Sequence, residues 1–188
     1  MKTLIKSLFA TGLIALVMLT SVAYANVADI SSIQKIIVTG NVQVTIVQSP
    51  KSKILYENEN DVNVLVKKTN NSLTIDGSNS INTAEITIYV DNIYRIEASG
   101  NAIVQTKGTF NLKDLQIFVK DRAKVDVNAQ IESLYTAIKN SAELKLQGHA
   151  NFHVLTMDKL SKITLENFSA IKTEKNNTDI TAYAAIKN

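Results

Sequence analysis

The sequence predicts an all-β fold, a parallel β-solenoid in which each coil takes up about 20 residues. A small residue followed by two alternating residues, mostly apolar, recurs from residue 102 onward at spacings of 21, 19 and 19. Apolar residues also recur four, six and eight positions before each small residue. The spacing of three and four that a helix requires is absent from these columns. The four repeats are Ala102-x-Val104-x-Thr106, Ala123-x-Val125-x-Val127, Ala142-x-Leu144-x-Leu146 and Ser161-x-Ile163-x-Leu165.

Aligning the repeats on the small residue assigns each column to the inside or the outside of the solenoid. Side chains of a strand point alternately to its two faces, so columns two residues apart share a face. The inward columns are predicted to be Tyr94, Leu115, Leu134 and His153; Ile96, Ile117, Thr136 and Leu155; and Ala98, Val119, Ile138 and Met157. The outward columns are predicted to be Glu97, Phe118, Ala137 and Thr156, and Ile103, Lys124, Glu143 and Lys162.

Two sets of turn residues separate the predicted strands of each coil. The first corner is Ser99-Gly100-Asn101 in one repeat, and the later repeats have Lys120-Asp121-Arg122, Lys139-Asn140-Ser141 and Asp158-Lys159-Leu160 in its place. Gly and Asn tolerate the backbone angles that a corner requires. A second corner is predicted at Gly108, Ala129, Gly148 and Asn167.

The segment before the repeats is rich in β-pattern but has no clean period. Because the first coil of a solenoid exposes apolar core and unpaired strand edges, it needs a cap. We expect residues 26–92 to supply an N-terminal cap and the first irregular coils, residues 93–174 the regular coils, and residues 175–188 a C-terminal cap. The candidate strands of the first segment are Ile36–Val38, Val42–Val47, Lys53–Tyr56, Val62–Val66, Leu73–Ile75 and Ile86–Val90.

Residues 1–25 have the pattern of a cleaved signal peptide. Lys2 and Lys6 precede a mostly apolar run over residues 8–22, and Ala23-Tyr24-Ala25 is a small-x-small cleavage site. The alternative, a retained membrane anchor, is disfavoured because the apolar run is shorter than the ~20 residues of a spanning helix. Cysteine is absent from the chain, so we expect an exported protein that is not a lipoprotein. Residues 26–188 then form a single domain, periplasmic or secreted.

Charge and motifs exclude several classes of function. Removal of residues 1–25 takes away two lysines and lowers the formal net charge from +3 to +1. A clustered basic stripe with aromatic residues is absent, so nucleic-acid binding is not expected. The chain also lacks a Gly-rich phosphate loop, a Gly-x-Ser-x-Gly motif and a cysteine nucleophile. No catalytic or cofactor-binding set is assigned from the sequence.

The apolar run of the first segment, continued into the first repeat, resembles the putative auto-transporter adhesin head GIN domain family. The resemblance implies an exported bacterial protein with a right-handed, single-stranded β-helix, and it supplies no catalytic residues. Later repeats depart from the family's Ser-Gly corner. The residues that carry the resemblance are Ile33-x-x-Ile36-x-Val38-x-Gly40-x-Val42-x-Val44-x-Ile46, Leu73-x-Ile75, Ile86-x-Ile88 and Ile93-x-x-Ile96-x-Ala98-Ser99-Gly100-Asn101-Ala102.

Two short patterns suggest metal ligands, and both have simpler explanations. His149 and His153 are four residues apart. On a strand that spacing separates them by about 13 Å, at ~3.3 Å per residue, too far to share a metal. Glu57-Asn58-Glu59-Asn60-Asp61 alternates oxygen ligands but lacks the glycine and the distal glutamate of a calcium loop. We therefore assign no metal and read this segment as a solvated turn.

The segment from Lys120 to Asp126 is the most enzyme-like part of the sequence. Asp121, Arg122 and Lys124 have the chemistry with which some β-helix enzymes cleave acidic polysaccharides, a base beside cations. The repeat alignment favours another explanation, in which Lys124, Glu143 and Lys162 form an outward ladder of alternating charge while Asp126 lies beside Lys145.

Three functions remain open on the sequence alone. The preferred one is a non-catalytic binding, adhesion or envelope scaffolding module whose partner is a glycan, an envelope component or a protein. The alternatives are a polysaccharide-active enzyme and a module that assembles with copies of itself. Phe118 and Tyr135 are the aromatic residues expected to face outward, and are the first candidates for ligand contact. The competing interpretation is that they cover the side wall or pack under a cap.

Overall fold

The computed structural model describes residues 33–57 and 63–177, and every regular element in these ranges is a β-strand. The all-β class is therefore confirmed. The strands are β1 (Lys35–Gly40), β2 (Val42–Gln48), β3 (Lys53–Tyr56), β4 (Leu65–Thr69), β5 (Ser72–Gly77), β6 (Ala84–Val90), β7 (Arg95–Ser99), β8 (Ile103–Lys107), β9 (Phe110–Val119), β10 (Lys124–Ile138), β11 (Glu143–Met157) and β12 (Lys162–Asn177).

All twelve strands belong to one mixed sheet that curls into a half-barrel. We call β5, β1, β7 and the ends of β9, β10, β11 and β12 the first wall. The second wall is formed by β6, β2, β8 and the starts of β10, β11 and β12. Neighbours within each wall pair in parallel, whereas β3 pairs antiparallel with β6 and β4 pairs antiparallel with β5. The two antiparallel strands make the sheet mixed.

The repeat of about 20 residues corresponds to the pairing register of the sheet. Lys124 of β10 lies opposite Ile103 of β8 and opposite Glu143 of β11, which in turn lies opposite Lys162 of β12. These steps of 21, 19 and 19 residues equal the spacings of the small residues in the sequence. Equivalent positions in successive repeats are consequently stacked beside one another.

The predicted inward columns form the core, with one exception. The two columns nearest the first corner and the small residues themselves are largely or fully buried. Tyr94 was expected to point inward but is 42% exposed. It precedes the first residue of β7, and Ile93, only 1% exposed, fills the core instead. The alternation of the strand begins one residue later than the column alignment assumed.

The first corner appears where it was predicted, and its backbone explains the residue types. Gly100, Asp121 and Asn140 occupy equivalent corner positions with φ of 71°, 66° and 59°. Asp and Asn tolerate this left-handed conformation better than other residues with a side chain, because their short polar groups bond locally. The Ser-Gly corner of the first repeat can therefore be replaced by Lys-Asp and Lys-Asn without loss of the turn.

The predicted second corner interrupts the strands in only one of the four repeats. A break occurs only at Gly108, between β8 and β9. Ala129, Gly148 and Asn167 lie inside the long strands β10, β11 and β12. Backbone pairing continues through these positions, since Ala129 lies opposite both Phe110 and Gly148. The chain bends there without leaving the sheet.

The first segment contributes to both the stack and its end. β1 lies between β5 and β7, and β2 lies between β6 and β8, so residues 35–48 form a layer inside the stack. β3 and β4 then close the sheet at its two margins. The predicted strands of this segment are all present, although β4 begins at Leu65.

Several sequence predictions lie outside the described residues: the signal peptide, residues Asn58–Asp61, and most of the C-terminal cap after Asn177. Within the part of the chain that is described, no helix has the length and apolar character needed to cross a membrane.

Close backbone packing at the bend of β11 leads to a prediction about glycine substitutions. Gly148 has φ of 100°, and a Cβ atom there would lie 2.2 Å from the carbonyl oxygen of Ala129. Gly108 has a similar φ of 82° but no atom within 4 Å of the corresponding position. We expect Gly108→Ala to cost about 1 to 2 kcal/mol from backbone strain alone. Gly148→Ala should cost roughly 3 to 5 kcal/mol, because the neighbouring strand must also move.

Urea unfolding of the two variants measures this difference directly. Because both substitutions place alanine at positive φ, Gly108→Ala is the matched control for backbone strain. Equal losses of stability in the two variants would contradict the tight approach of β10 and β11.

Candidate functional site

The outer face of the first wall carries a groove of about 490 Å³. Its lining comes from outward columns of five neighbouring parallel strands, so each side chain is held by a paired backbone. We call it the outer groove. The outward residues that line it are Ile37 and Thr39 from β1, Arg95, Glu97 and Ser99 from β7, Phe118 and Lys120 from β9 and its corner, Tyr135, Ala137 and Lys139 from β10 and its corner, and Thr156 from β11.

Two aromatic rings form one side of the outer groove. The ring centroids of Phe118 and Tyr135 are 5.6 Å apart at an interplanar angle of 45°. Both side chains are half-buried, so part of each ring remains accessible to a ligand. The guanidinium of Arg95 lies 5.0 Å from the centroid of the Phe118 ring, a cation–π distance. Aromatic rings beside a few fixed polar groups are the usual composition of a small-molecule site.

A hydrogen-bonded network holds Arg95 and Glu97 in place. The Nε–H of Arg95 donates to Gln116 Oε1 at 2.9 Å. The carboxylate of Glu97 lies 2.7 Å from the ammonium group of Lys35 and 3.4 Å from the guanidinium of Arg95. This carboxylate is shared between two cations, so it neutralises charge within the protein.

A small residue makes the depression between the rings and the corner. Ala137 lies directly opposite Phe118 on β9 and Thr156 on β11. It was expected to be exposed, but its exposed fraction is only 8% because the longer side chains on both sides cover it. Ala137 therefore forms the floor of the groove, and a larger side chain there would fill it.

At the corner end of the groove, Ser99 hydrogen-bonds Thr39 with 3.1 Å between their hydroxyl oxygens. Lys120 and Lys139 follow the last residues of β9 and of β10, in the same outward column as Ser99. Both lysines are exposed, and neither ammonium group has a hydrogen bond or an ion pair with any described residue. The groove thus ends in two uncompensated positive charges.

The sequence identified only part of this site. Phe118 and Tyr135 were selected as outward aromatic residues, and the structure places them in contact. Arg95, Ala137 and Lys139 were missed, although all three belong to outward positions of the repeat. The signal that could have found them is the mixture of aromatic, small and positively charged residues in the outward columns.

The enzyme-like segment is occupied by contacts between repeats. Asp121 Oδ2 accepts a hydrogen bond from the Gly100 backbone N–H at 3.2 Å, and its other oxygen accepts one from the Asn140 amide at 3.5 Å. The Nε–H of Arg122 donates to Asn101 Oδ1 at 2.9 Å. These bonds join one corner to the next, and both side chains are engaged in them.

The predicted charge ladder is confirmed on the outer face of the second wall. Glu143 lies 3.3 Å from the ammonium group of Lys124 and 3.6 Å from that of Lys162. Lys145 lies 3.0 Å from Asp126. The hydrogen bond from Lys124, assisted by the positive charges of both neighbouring lysines, lowers the pKa of Glu143. Because these groups are exposed, the ladder contributes to register more than to stability.

The two histidines have separate environments. His149 Nδ1 lies 2.9 Å from the hydroxyl of Ser169 on the surface. His153 is 1% exposed, and its Nε2 lies 2.9 Å from the hydroxyl of the fully buried Thr136. Phe168 packs edge-on against the His153 ring with 5.5 Å between centroids. Among described residues, no group of three or more His, Asp or Glu side chains is arranged to hold a metal ion.

Comparison with known sequences identifies one family. The family model described as "Putative auto-transporter adhesin, head GIN domain" matches residues 33–185. No curated protein matches the chain.

Three solved bacterial structures share the fold. A "putative adhesin" from Bacteroides fragilis superposes with a TM-score of 0.68 at 19% identity, covering 78% of this chain and 72% of its own. A "putative lipid binding protein" from Parabacteroides distasonis gives a TM-score of 0.61 at 14% identity, covering 80% of this chain and 76% of its own. A "putative adhesin" from Parabacteroides merdae gives 0.60 at 15% identity, covering 80% and 75%.

The buried histidine leads to a prediction about acid stability. Burial lowers the pKa of His153, and the positive charge of Lys175 lowers it further. The unfolded chain therefore takes up a proton at a higher pH than the folded chain does. Stability should be full above the ordinary histidine pKa of about 6.5 and decline as the pH falls below it.

Thermal unfolding between pH 7.5 and 5 tests this prediction. The carboxyl groups with lowered pKa values, Asp76, Glu143, Asp158 and Glu174, titrate below this window. His153→Leu should flatten the pH dependence of Tm, even if it lowers Tm at every pH by leaving Thr136 without its partner. His149→Leu is the control and should retain the slope of the parent. An unchanged slope in His153→Leu would refute the assignment.

Proposed function

This chain belongs to the family described as "Putative auto-transporter adhesin, head GIN domain", and on that premise we propose that it is an exported, non-catalytic binding module whose ligand occupies the outer groove. The observation that carries the proposal is the contact of Phe118 and Tyr135 on a rigid parallel wall, beside two lysines that have no partner among the described residues. Such convergence of aromatic and polar side chains in a concavity is the general form of a ligand site.

The rigidity of the wall supports binding in preference to catalysis. The lining side chains are held by parallel pairing between β1, β7, β9, β10 and β11. Among the described residues, Glu97 is the only carboxylate that lines the groove, and it is held by Lys35 and Arg95. A glycan-cleaving site needs a base or a pair of carboxylates that can exchange protons with the substrate.

We further propose that the coils wind as a right-handed parallel β-helix within one domain. Residues 1–25 would be removed on export, residues 26–92 would form the cap and first irregular coils, and residues 175–188 would form the second cap around the coils of residues 93–174. The parallel register from β7 to β12 supports the helix. The family to which the chain belongs supports export, because adhesins act outside the cell.

A binding screen tests the proposed function. The purified protein should bind at least one member of a panel of oligosaccharides and phospholipid vesicles in a saturable manner, with one site per chain and no release of reducing or unsaturated ends. Phe118→Ala combined with Tyr135→Ala should weaken that binding at least tenfold, or about 1.4 kcal/mol, because the apolar contact face is lost.

Two further variants make this screen specific for the groove. Ala137→Leu should weaken binding by filling the floor while retaining both rings. Phe152→Ala removes an aromatic residue that is 57% exposed on β11 outside the groove, and should leave binding unchanged. Binding that survives all the groove substitutions would place the ligand elsewhere. Turnover of any glycan by the parent protein would contradict the non-catalytic assignment.

The structural role of Asp121 leads to a separate prediction. Asp121→Ala removes the bond to the Gly100 N–H and leaves alanine at φ of 66°, so we expect a loss of about 1 to 3 kcal/mol in urea unfolding. Asp121→Gly should lose less, since glycine accepts this φ.

Ligand binding provides the control for this pair of variants. Because Asp121 does not line the outer groove, both variants should keep the affinity of the parent while they remain folded. If Asp121→Gly keeps the stability of the parent but loses an activity on a polysaccharide, the polysaccharide-active alternative is favoured.

A further inference from the structure

The charges in the outer groove do not balance, and this indicates the kind of ligand it accepts. Three cations, Arg95, Lys120 and Lys139, line the groove together with one carboxylate, that of Glu97. Glu97 already bonds to Lys35 and Arg95. The positive charge at the corner end is therefore left to an external partner.

Two carboxylates adjacent to the lysines along the chain or along the column, Asp121 and Asp158, are occupied by backbone and corner contacts. Asp158, next in the column after Lys139, accepts the Asn140 N–H at 2.7 Å, the Ser161 N–H at 2.9 Å and the Leu160 N–H at 3.1 Å. Although burial opposes the shift, a hydrogen bond from the Ser161 hydroxyl and these backbone hydrogen bonds together lower the pKa of Asp158. Asp121 is held by Gly100 and Asn140. Neither carboxylate forms an ion pair with Lys120 or Lys139.

The position of the lysines concentrates their charge. They leave the same edge of neighbouring parallel strands, whose backbones are about 4.8 Å apart. Elsewhere on the surface the chain alternates charge between repeats, as in Lys124 and Glu143. Two like charges on adjacent repeats repel each other, and a bound anion relieves that repulsion.

The rest of the groove requires more of the ligand than negative charge. Phe118 and Tyr135 present apolar ring faces. Thr39, Ser99 and Thr156 add hydroxyl groups to the lining of the groove, and Thr156 lies directly opposite the floor residue Ala137. A sugar ring has an apolar face of C–H groups and a rim of hydroxyls, and a uronic acid adds the carboxylate that the lysines lack. A volume of about 490 Å³ lies in the range of sites for small ligands.

We propose that the outer groove binds a carboxylated saccharide, with a uronic acid carboxylate at Lys120 and Lys139 and a sugar ring against Phe118 and Tyr135. This inference rests on the proposed function, since it names the ligand class of the same groove.

Tri-galacturonate and its methyl ester are the probes that isolate the carboxylate, because esterification removes the charge and keeps the rings. Isothermal titration of the purified protein should show tri-galacturonate binding at least tenfold more tightly than the ester. The affinity should fall between 50 and 300 mM NaCl, because exposed ionic contacts are screened by salt.

Charge-matched variants locate the contact. Lys120→Gln combined with Lys139→Gln should weaken tri-galacturonate binding roughly tenfold and leave the affinity for the ester unchanged. Lys67→Gln combined with Lys107→Gln removes the same charge from two exposed sites on β4 and β8, outside the groove, and should leave both affinities as in the parent. If both double variants lose affinity for tri-galacturonate equally, the effect comes from the net charge of the protein, and the proposal is overturned.

The remaining outcomes separate the inference from the proposed function. If the ester binds as tightly as the acid, and Phe118→Ala with Tyr135→Ala abolishes both, the groove is a neutral saccharide site and only the carboxylate assignment fails. If vesicles of phosphatidylglycerol bind through the groove and tri-galacturonate does not, the ligand class is wrong and groove binding stands. If no probe in the screen responds to any groove substitution, the proposed function fails with the inference.

Discussion

The parallel register between successive repeats is the constraint on which the rest of the structure depends. Each repeat lies 19 to 21 residues after its neighbour and pairs with it residue for residue over most of its length. The register turns a column of the alignment into a row of contacting side chains. Inside, it stacks the apolar side chains into one continuous core. Outside, it fixes which polar groups meet, so the same constraint that builds the core also arranges the surface.

The two outer walls use this constraint differently. On the second wall, opposite charges lie on adjacent repeats, as in Lys124, Glu143 and Lys162, and the surface neutralises itself. On the first wall, the row through Phe118, Ala137 and Thr156 mixes ring, methyl and hydroxyl groups. On the second wall, each of these charges is paired with an opposite charge on the adjacent repeat. The first wall leaves side chains without a partner among the described residues, and this is the physical basis for assigning them to a ligand.

The sequence is informative about this fold wherever the structure is periodic. Alternation and spacing were sufficient to predict the core columns, the first corner and the charge ladder, because these depend on register alone. The prediction that Tyr94 points inward was wrong, because the strand begins one residue after it. The strands do not end at Ala129 and Gly148 as predicted, because pairing with neighbouring strands holds the chain in the sheet where local turn preference predicts a break. The groove was only half predicted, since its depth comes from the size difference between Ala137 and its neighbours on other strands.

The order of layers in the stack also governs when the fold can form. Residues 35–48 lie between strands β5 and β6 on one side and β7 and β8 on the other, although all four are made later. A chain that emerges from its N-terminus first cannot complete this layer until residue 107 is available. Contacts of such long sequence separation slow folding, because the loop must close before the pairing is gained. The layer order thus keeps the early part of the chain without its final partners until the later strands have been made, so its apolar strands remain exposed during synthesis.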